Sequence, residues 1–366
     1  MKIIIDAKKF GEGIKKIMPA LPRRTPVFVL ENILFRYNSG EIEMMTSNME
    51  MMQLVALEAQ GDGAGAALIP GRLLDDLISS LTGNIELNFG KDKLAVKTEK
   101  GKYQLSISNV IDDFPTFPHF DGITAAKTSS IVLREGIEFV KHFMSKEDIR
   151  PAMHAILLEE TETEMALVAT DGRVLSKFTI AGNFGHRNIV IPFDSISALE
   201  AFINDVPDEF IDVFFDGKMV KIAKPHEIFI TRVIGEKFPT YGSVIPKEND
   251  KRAEVRREDI IKAIKRMQII SDKENNKIAM EFKAGKLTVS ASNSNYGADG
   301  KETYDCKYND EDFRIAFNTK LLFDCLAIFK GERITIEMKK PTTAIIIKSD
   351  EDMDNFALLM PVREDA

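Results

Sequence analysis

The chain has 366 residues, 44% of them hydrophobic, with 49 Lys and Arg against 57 Asp and Glu and a formal net charge of −8. That length suffices for two or three domains that each bury a core, and two cysteines, Cys306 and Cys325, are too few to staple it, so reduced thiols are expected. The opening MKIIIDAKKF is no signal peptide and no apolar run approaches a membrane span, which excludes those classes and leaves a soluble cytoplasmic protein as the expectation.

In chain order, Lys2 to Asp6 reads as a strand and Ala7 to Met18 as a helix with Phe10, Ile14 and Ile17 on one face. Lys8 with Lys15, and Lys9 with Lys16, are seven apart and stack away from that face. Pro19, Pro22 and Pro26 end the helix and frame a loop carrying Arg23 and Arg24. Strands follow at Ile33 to Tyr37, Glu41 to Thr46 and Gln53 to Ala59. Gly61 to Ala66, GDGAGA, lacks the Lys-Ser/Thr ending of a phosphate loop and reads as a hairpin connection. A second helix, Gly71 to Leu81, starts near Arg72, and strands at Ile85 to Phe89, Leu94 to Thr98 and Tyr103 to Ser108 lead to Phe114-Pro115.

The same plan then recurs. Ile33, Glu41, Met44, Ser47 and Asn48 fall on Ile156, Glu164, Leu167, Thr170 and Asp171, and those fall on Ile278, Lys286, Val289, Ser292 and Asn293, at offsets of about 123 and 122 residues. Ile69-Pro70 matches Ile191-Pro192 and Ile315-Ala316, and Phe114-Pro115 matches Phe238-Pro239 and Met360-Pro361. Three copies are expected, at 1–122, 123–250 and 251–366, each with two helices and about eight short strands. The remaining helices are predicted at Leu133 to Met144, Asp194 to Phe202, Arg257 to Ile270 and Thr319 to Phe329. The fold class is therefore α+β. The first helix of every copy is basic on its polar side, with Arg134, Lys141 and His142 in the second and Arg257, Lys262, Lys265 and Arg266 in the third, although the whole chain is acidic.

Catalytic constellations are missing. His119, His142, His154, His186 and His226 have no metal-ligand spacing, and H-E-x-x-H, C-x-x-C and G-x-S-x-G do not occur. Adjacent acids such as Asp75-Asp76 and Asp112-Asp113 would point apart, and Asp171 before Gly172 is ordinary turn chemistry. A non-catalytic chain needing no cofactor or metal is the expectation.

Thr170-Asp171-Gly172-Arg173-Val174-Leu175, Phe238-Pro239-Thr240-Tyr241 with Val244-Ile245-Pro246, Arg24-Thr25-Pro26 leading to Asn32, and Leu358 to Arg363 together resemble the bacterial DNA polymerase III beta subunit family, the sliding clamps. The resemblance spans the whole chain. It implies three tandem clamp domains, each with two helices on antiparallel sheets, and a head-to-tail homodimeric ring that holds the replicative polymerase on duplex DNA. It also implies a clamp loader driven by ATP from outside, since the chain has no nucleotide motif.

Helices packed about 9.5 Å apart support the dimer: six leave a bore of about 8 Å and twelve about 26 Å, against a duplex of roughly 20 Å. On that reading Lys8, Lys15, Arg24, Arg72, Lys141, Lys262, Lys265 and Arg266 face the DNA without reading bases. The resemblance further implies a cleft for a short hydrophobic peptide of the polymerase, loader or other replication proteins, at Met153, Thr170, Gly172, Arg173, Val174, Leu175, Pro239, Val244, Leu358, Met360, Pro361, Val362 and Arg363. Two departures stand out. The family usually has His or Tyr and then Arg at Arg173-Val174, and it tends to finish on an apolar residue where this chain has Glu364-Asp365-Ala366. A protein-binding scaffold of the same architecture that does not encircle DNA is the alternative.

Overall fold

The computed structural model describes residues 1–147, 149–181, 187–204, 210–272 and 276–363. The first repeat runs β1 Lys2–Asp6, α1 Ala7–Ile17, β2 Asn32–Asn38, β3 Glu41–Ser47, β4 Met51–Glu58, β5 Gln60–Asp62, β6 Gly65–Pro70, α2 Gly71–Ser79, β7 Asn84–Phe89, β8 Lys93–Lys97 and β9 Lys102–Ser106. The second runs β10 Ala126–Ser129, α3 Ser130–Val140, β11 Ala155–Glu160, β12 Glu164–Thr170, β13 Val174–Ala181, β14 Asn188–Pro192, α4 Phe193–Asn204, β15 Phe210–Phe215, β16 Met219–Lys224 and β17 Glu227–Arg232. The third runs β18 Lys251–Arg256, α5 Arg257–Ile270, β19 Lys277–Lys283, β20 Lys286–Asn293, β21 Ala298–Asp305, β22 Phe313–Asn318, α6 Thr319–Ala327, β23 Arg333–Met338, β24 Ile345–Ser349 and β25 Phe356–Leu359. Only β5 lacks a counterpart among the described residues. Within each repeat a strand, a helix and three strands occur twice in succession.

Local chemistry sets the elements. Asp6 caps α1 by accepting the Lys9 backbone N–H at 3.0 Å. Phe10, Ile14 and Ile17 are buried at helical spacing, and a Cβ on Gly13 would come within 2.6 Å of Leu57 Cδ1, so α1 lies close on the sheet. Truncating Phe10, whose side chain is fully buried, to Ala costs about 3–5 kcal/mol. Asn318 caps α6 by accepting the Lys320 and Leu321 N–H groups.

Only α5 keeps both ends of the sequence reading: α1 stops at Ile17, before Met18, α2 stops at Ser79 before Leu81, and α4 runs from Phe193 on to Asn204 beyond Phe202. The second repeat's first helix begins at Ser130 and stops at Val140, and a tighter 3-10 turn, Lys141–Phe143, brings Phe143 inward three residues after Val140. The last helix ends at Ala327, before Phe329.

The chain forms two compact units, Met1–Arg134 with Asp194–Val233, and Glu135–Phe193 with Ile234–Ala366. Both cut through the second repeat. The first unit holds a five-stranded sheet, β5-β1-β7-β8-β9, and an eight-stranded sheet, β10-β15-β16-β17-β4-β3-β2-β6. The second holds an eight-stranded sheet, β14-β11-β12-β13-β25-β24-β23-β18, and a four-stranded sheet, β21-β20-β19-β22. Repeats are thus joined by continuous ladders: β17 runs antiparallel to β4, with Ile230 opposite Met52, and β25 runs antiparallel to β13, with Leu358 opposite Leu175. The strand ends left open in this series are β9 of the first repeat and β21 of the third.

The first repeat's core runs from Ile3 and Phe10 through Phe35 and Ile42 to Leu94. Cys306 and Cys325 are buried free thiols, and burial pushes the Cys306 thiol up to about 11.

Candidate nucleic-acid interface and peptide cleft

In the first unit, Lys8, Lys15 and Arg24 are exposed, Lys8 being 4.0 Å from Glu12. Arg72 is also exposed and donates from Nη2 to the Pro22 carbonyl at 3.0 Å, tying the start of α2 to the loop that carries Arg23 and Arg24. Their positions follow from α1 burying its Phe10–Ile14–Ile17 face, which turns the lysine lines outward.

The second unit's cations are held differently. Lys141 lies 2.5 Å from Glu138 and Lys262 2.6 Å from Glu258, and each lysine draws its carboxyl below the usual range. Arg266 donates through Nε and Nη2 to both oxygens of Glu302 at 2.5 Å, and through Nη2 to the Tyr304 hydroxyl at 2.8 Å. That fork holds the Glu302 carboxyl down at about 2. Lys265 sits 5.3 Å from the centre of the Phe323 ring. The partners of Lys141 and Lys262 are three and four residues away and legible in sequence; Glu302 is 36 residues from Arg266 and is not.

The expected cleft residues all fall in the second unit. The ladder between β13 and β25 sets Val174 opposite Leu359 and Leu175 opposite Leu358, and the Met360 N–H donates to the Arg173 carbonyl at 2.9 Å. Between β12 and β13 the turn is fixed by Asp171, whose carboxylate accepts the Arg173 and Val174 N–H groups, and by Thr170 Oγ1, which accepts the Gly172 N–H at 3.1 Å and donates to the Val174 carbonyl at 2.6 Å. Gly172 has φ +87, where glycine fits without strain. Its missing side chain also leaves room beside Met153, whose Cε would stand 3.5 Å from an added Cβ.

Leu175 and Leu358 belong to one apolar cluster with Leu157, Val168, Phe238 and Phe356. Ile234, Tyr241 and Ile245, from the segment joining the second and third repeats, pack on it. Pro239 and Val244 therefore sit on the segment that covers this cluster. The Tyr241 hydroxyl donates to Glu159, and burial beside that carboxylate pushes the phenol upward. Tyr241 and Glu159 are absent from the sequence-derived site, although Phe238-Pro239-Thr240-Tyr241 marks the segment.

Val244 is 56% and Met360 44% exposed, whereas Met153, Thr170, Val174, Leu175 and Leu358 are buried. Arg173 and Arg363 are exposed, Pro361 and Val362 half-buried, and the Val362 N–H donates to the Ala316 carbonyl at 2.8 Å. Val174 packs inward, opposite Leu359, so the cation at this turn is Arg173. Glu364-Asp365-Ala366 lies outside the described residues. Exposed apolar groups above an apolar floor, with arginines at the margin, can seat an extended peptide through one or two hydrophobic side chains. Among the described residues no cluster of His, Cys, Asp and Glu could hold a metal ion, and no helix is long and apolar enough to cross a membrane.

Known proteins resemble the chain along its whole length. Family models of the DNA polymerase III beta subunit match in order, the N-terminal domain at residues 1–118, the central domain at 128–240 and the C-terminal domain at 242–363. The beta sliding clamp of Chlamydia pneumoniae is 24% identical over 99% of both chains, and that of Pseudomonas putida 23% over 99% of this chain and all of the other. Among solved structures, the sliding clamp of Pseudomonas aeruginosa bound to griselimycin superposes with a TM-score of 0.94 at 22% identity over the full length of both chains. With consecutive family domains covering nearly every residue, the chain belongs to the DNA polymerase III beta subunit family, the sliding clamps.

Proposed function

We propose that two copies of this chain close head to tail into a ring around duplex DNA, and that the ring tethers the replicative polymerase and other replication and repair proteins for processive synthesis. Its three domains per copy are 1–122, 123–250 and 251–366. The observation that carries the ring is strand pairing. Twice along the chain, the last strand of the helix-following three in one repeat's first half pairs with the last strand of the next repeat: β4 with β17, then β13 with β25. The next member of the series is β21, and among the described residues the last strand still unpaired on that side is β9, which on this reading a second copy supplies. Two such junctions close six domains.

Carried over to this junction, the register of the two internal ladders would bring Asp299 opposite Gln104 of the partner subunit and Gly300 opposite Tyr103 of the partner subunit. Gly300 lies under Met267 and Ile270, where a Cβ would stand 3.2 to 3.4 Å from their side chains. On this reading an aromatic ring from the opposite strand would cover that glycine.

The chain has no catalytic work to do in this scheme and needs no cofactor. Exposed Lys8, Lys15, Arg24 and Arg72 attract phosphates, with Lys141, Lys262, Lys265 and Arg266 contributing from the second unit, and none of these contacts reads sequence. The cleft around Leu175, Val244 and Met360 takes the hydrophobic peptide of the polymerase, the loader or another partner. The test is retention on DNA after loading: circular duplex is expected to keep the protein and to release it when a single cut makes ends. Equal release from circular and linear DNA would leave a scaffold that does not encircle.

A further inference from the structure

We propose a second peptide-docking surface on the first unit, around the turn Ser47 to Met51, which takes a short extended peptide carrying one or two large apolar side chains. The proposal rests on the reading of the cleft given above, because it comes from a bond-by-bond repetition of that cleft's frame. Thr170, Asp171 and Gly172 have Ser47, Asn48 and Met49 as counterparts. Ser47 Oγ accepts the Met49 N–H at 3.1 Å, as Thr170 does for Gly172. Asn48 Oδ1 accepts the Glu50 and Met51 N–H groups at 3.0 and 2.7 Å, as Asp171 does for Arg173 and Val174. The Arg232 N–H donates to the Glu50 carbonyl at 2.8 Å, as Met360 does to Arg173. Beneath the turn lies an equivalent apolar floor of Leu34, Met45, Met52, Phe114 and Ile230.

Three differences point to a binding role for this copy. Met49 has φ +77, a conformation that costs a side-chain-bearing residue and suits the glycine of the other copy, yet its side chain is 52% exposed and so does not repay that cost by packing. Phe28 is 66% exposed, in the short 3-10 turn Phe28–Glu31 that corresponds to the one holding Met153, and Val29 of that turn packs on the same floor. The floor is also softer: Met45 and Met52 replace Val168 and Leu175, and five methionines fall between residues 44 and 52. Flexible thioethers suit an apolar partner of relaxed sequence. On the opposite wall the counterpart of Val244 is Phe120, buried and capped by Lys221 Nζ at 5.0 Å, so the open apolar surface is the side with Phe28 and Met49.

The test uses the full chain with ε-13C-methionine labelling and an octapeptide bearing adjacent Leu and Phe anchors, titrated into wild type, Met360→Asp, Met49→Gly and Phe28→Asp. Wild type is expected to bind two peptides per chain, and Met360→Asp one, with the methyl signals of Met45, Met49 and Met52 still moving. Met49→Gly relieves the backbone and so keeps the fold, and with Phe28→Asp it is expected to weaken the second event at least tenfold while leaving the first. One peptide per chain, abolished by Met360→Asp with no movement of those methyl signals, would overturn the second surface and keep the cleft. No binding to wild type at all would overturn the cleft reading and this proposal with it.

Discussion

The two closed junctions of this molecule and the edge strands β9 and β21 are built from counterpart strands, paired in one case and open in the other. At β4 with β17 and at β13 with β25 the facing backbone groups of the two strands pair with each other, and apolar side chains such as Met52 with Ile230 and Leu175 with Leu358 cover the seam. At β9, exposed along its length except at Leu105, and at β21, which alternates half-buried and exposed residues, the corresponding strands have no covering strand among the described residues. Unpaired edges invite association, and exposed apolar groups accompany both: Tyr103 on β9 is 41% exposed, and Ile269, next to the Ile270 that overhangs Gly300, is 83% exposed. The chain thus carries both strands of a third junction, β9 and β21, each left at the edge of its own sheet.

The largest effect is expected from damaging an open edge and leaving the closed junctions intact. Tyr103→Asp with Ile269→Asp alters only exposed side chains of the single chain, so folding is expected to persist. Losing two apolar anchors weakens each junction by about 2–4 kcal/mol. Sedimentation should show the dimer shifting to monomer over micromolar concentrations, with retention on circular DNA lost; an unchanged dimer would place the interface elsewhere.

A cut at the closed β13–β25 junction should have the opposite signature. Met360→Asp puts a charge beside the peptide floor and is expected to cost about 2 kcal/mol of peptide affinity, some thirtyfold, with no change in oligomeric state. Calorimetry with sedimentation on the same sample separates the two.

The basic helices of the two units are expected to differ in the salt dependence of DNA binding. Each phosphate contact removed lowers the slope of log affinity against log salt by about 0.9. Charge reversal at Lys8, Lys15 and Arg24, which are exposed, is expected to approach that figure per residue. Neutralising Lys262 and Arg266 is expected to change the slope less, because Glu258 and Glu302 already hold them.

The smallest effect concerns the edge strand itself. Arg266 anchors β21 to α5 through Glu302, whose carboxyl is held at about 2, below its ordinary value near 4.5. A carboxyl lowered on folding stabilises the native state above its unfolded pKa, and that contribution fades as pH falls from about 4.5 towards 2. Wild type should therefore lose thermal stability over that window more steeply than Glu302→Gln, which has no such proton to take up.

Much of this plan is legible in the sequence because the repeat fixes it three times over. Helix α5 runs from Arg257 to Ile270 in both the reading and the structure, since Ile260, Ile264 and Met267 mark one buried line. The end of α3 is not legible, because Val140, Phe143 and Met144 suit a continuing helix as well as the 3-10 turn that replaces it. Nor does periodicity reveal that the sheets ignore the repeat boundaries: β17 shows the alternation of any half-buried strand, and its partner β4 lies some 180 residues away. The basic faces are readable as composition, but the fork from Glu302 to Arg266 depends on β21 folding back beside α5, which no local pattern encodes.

The most direct measurement is a cysteine pair across the open edges, Gln104→Cys with Asp299→Cys in the full chain, oxidised and run without reductant. Both positions are exposed, the native thiols Cys306 and Cys325 are buried, and directly opposed residues in an antiparallel ladder lie within disulfide reach. The ring predicts a covalent dimer from the double variant, none from either single variant, and a crosslinked species that stays on circular DNA through high salt. Monomers only, or a ladder of open oligomers, would contradict it.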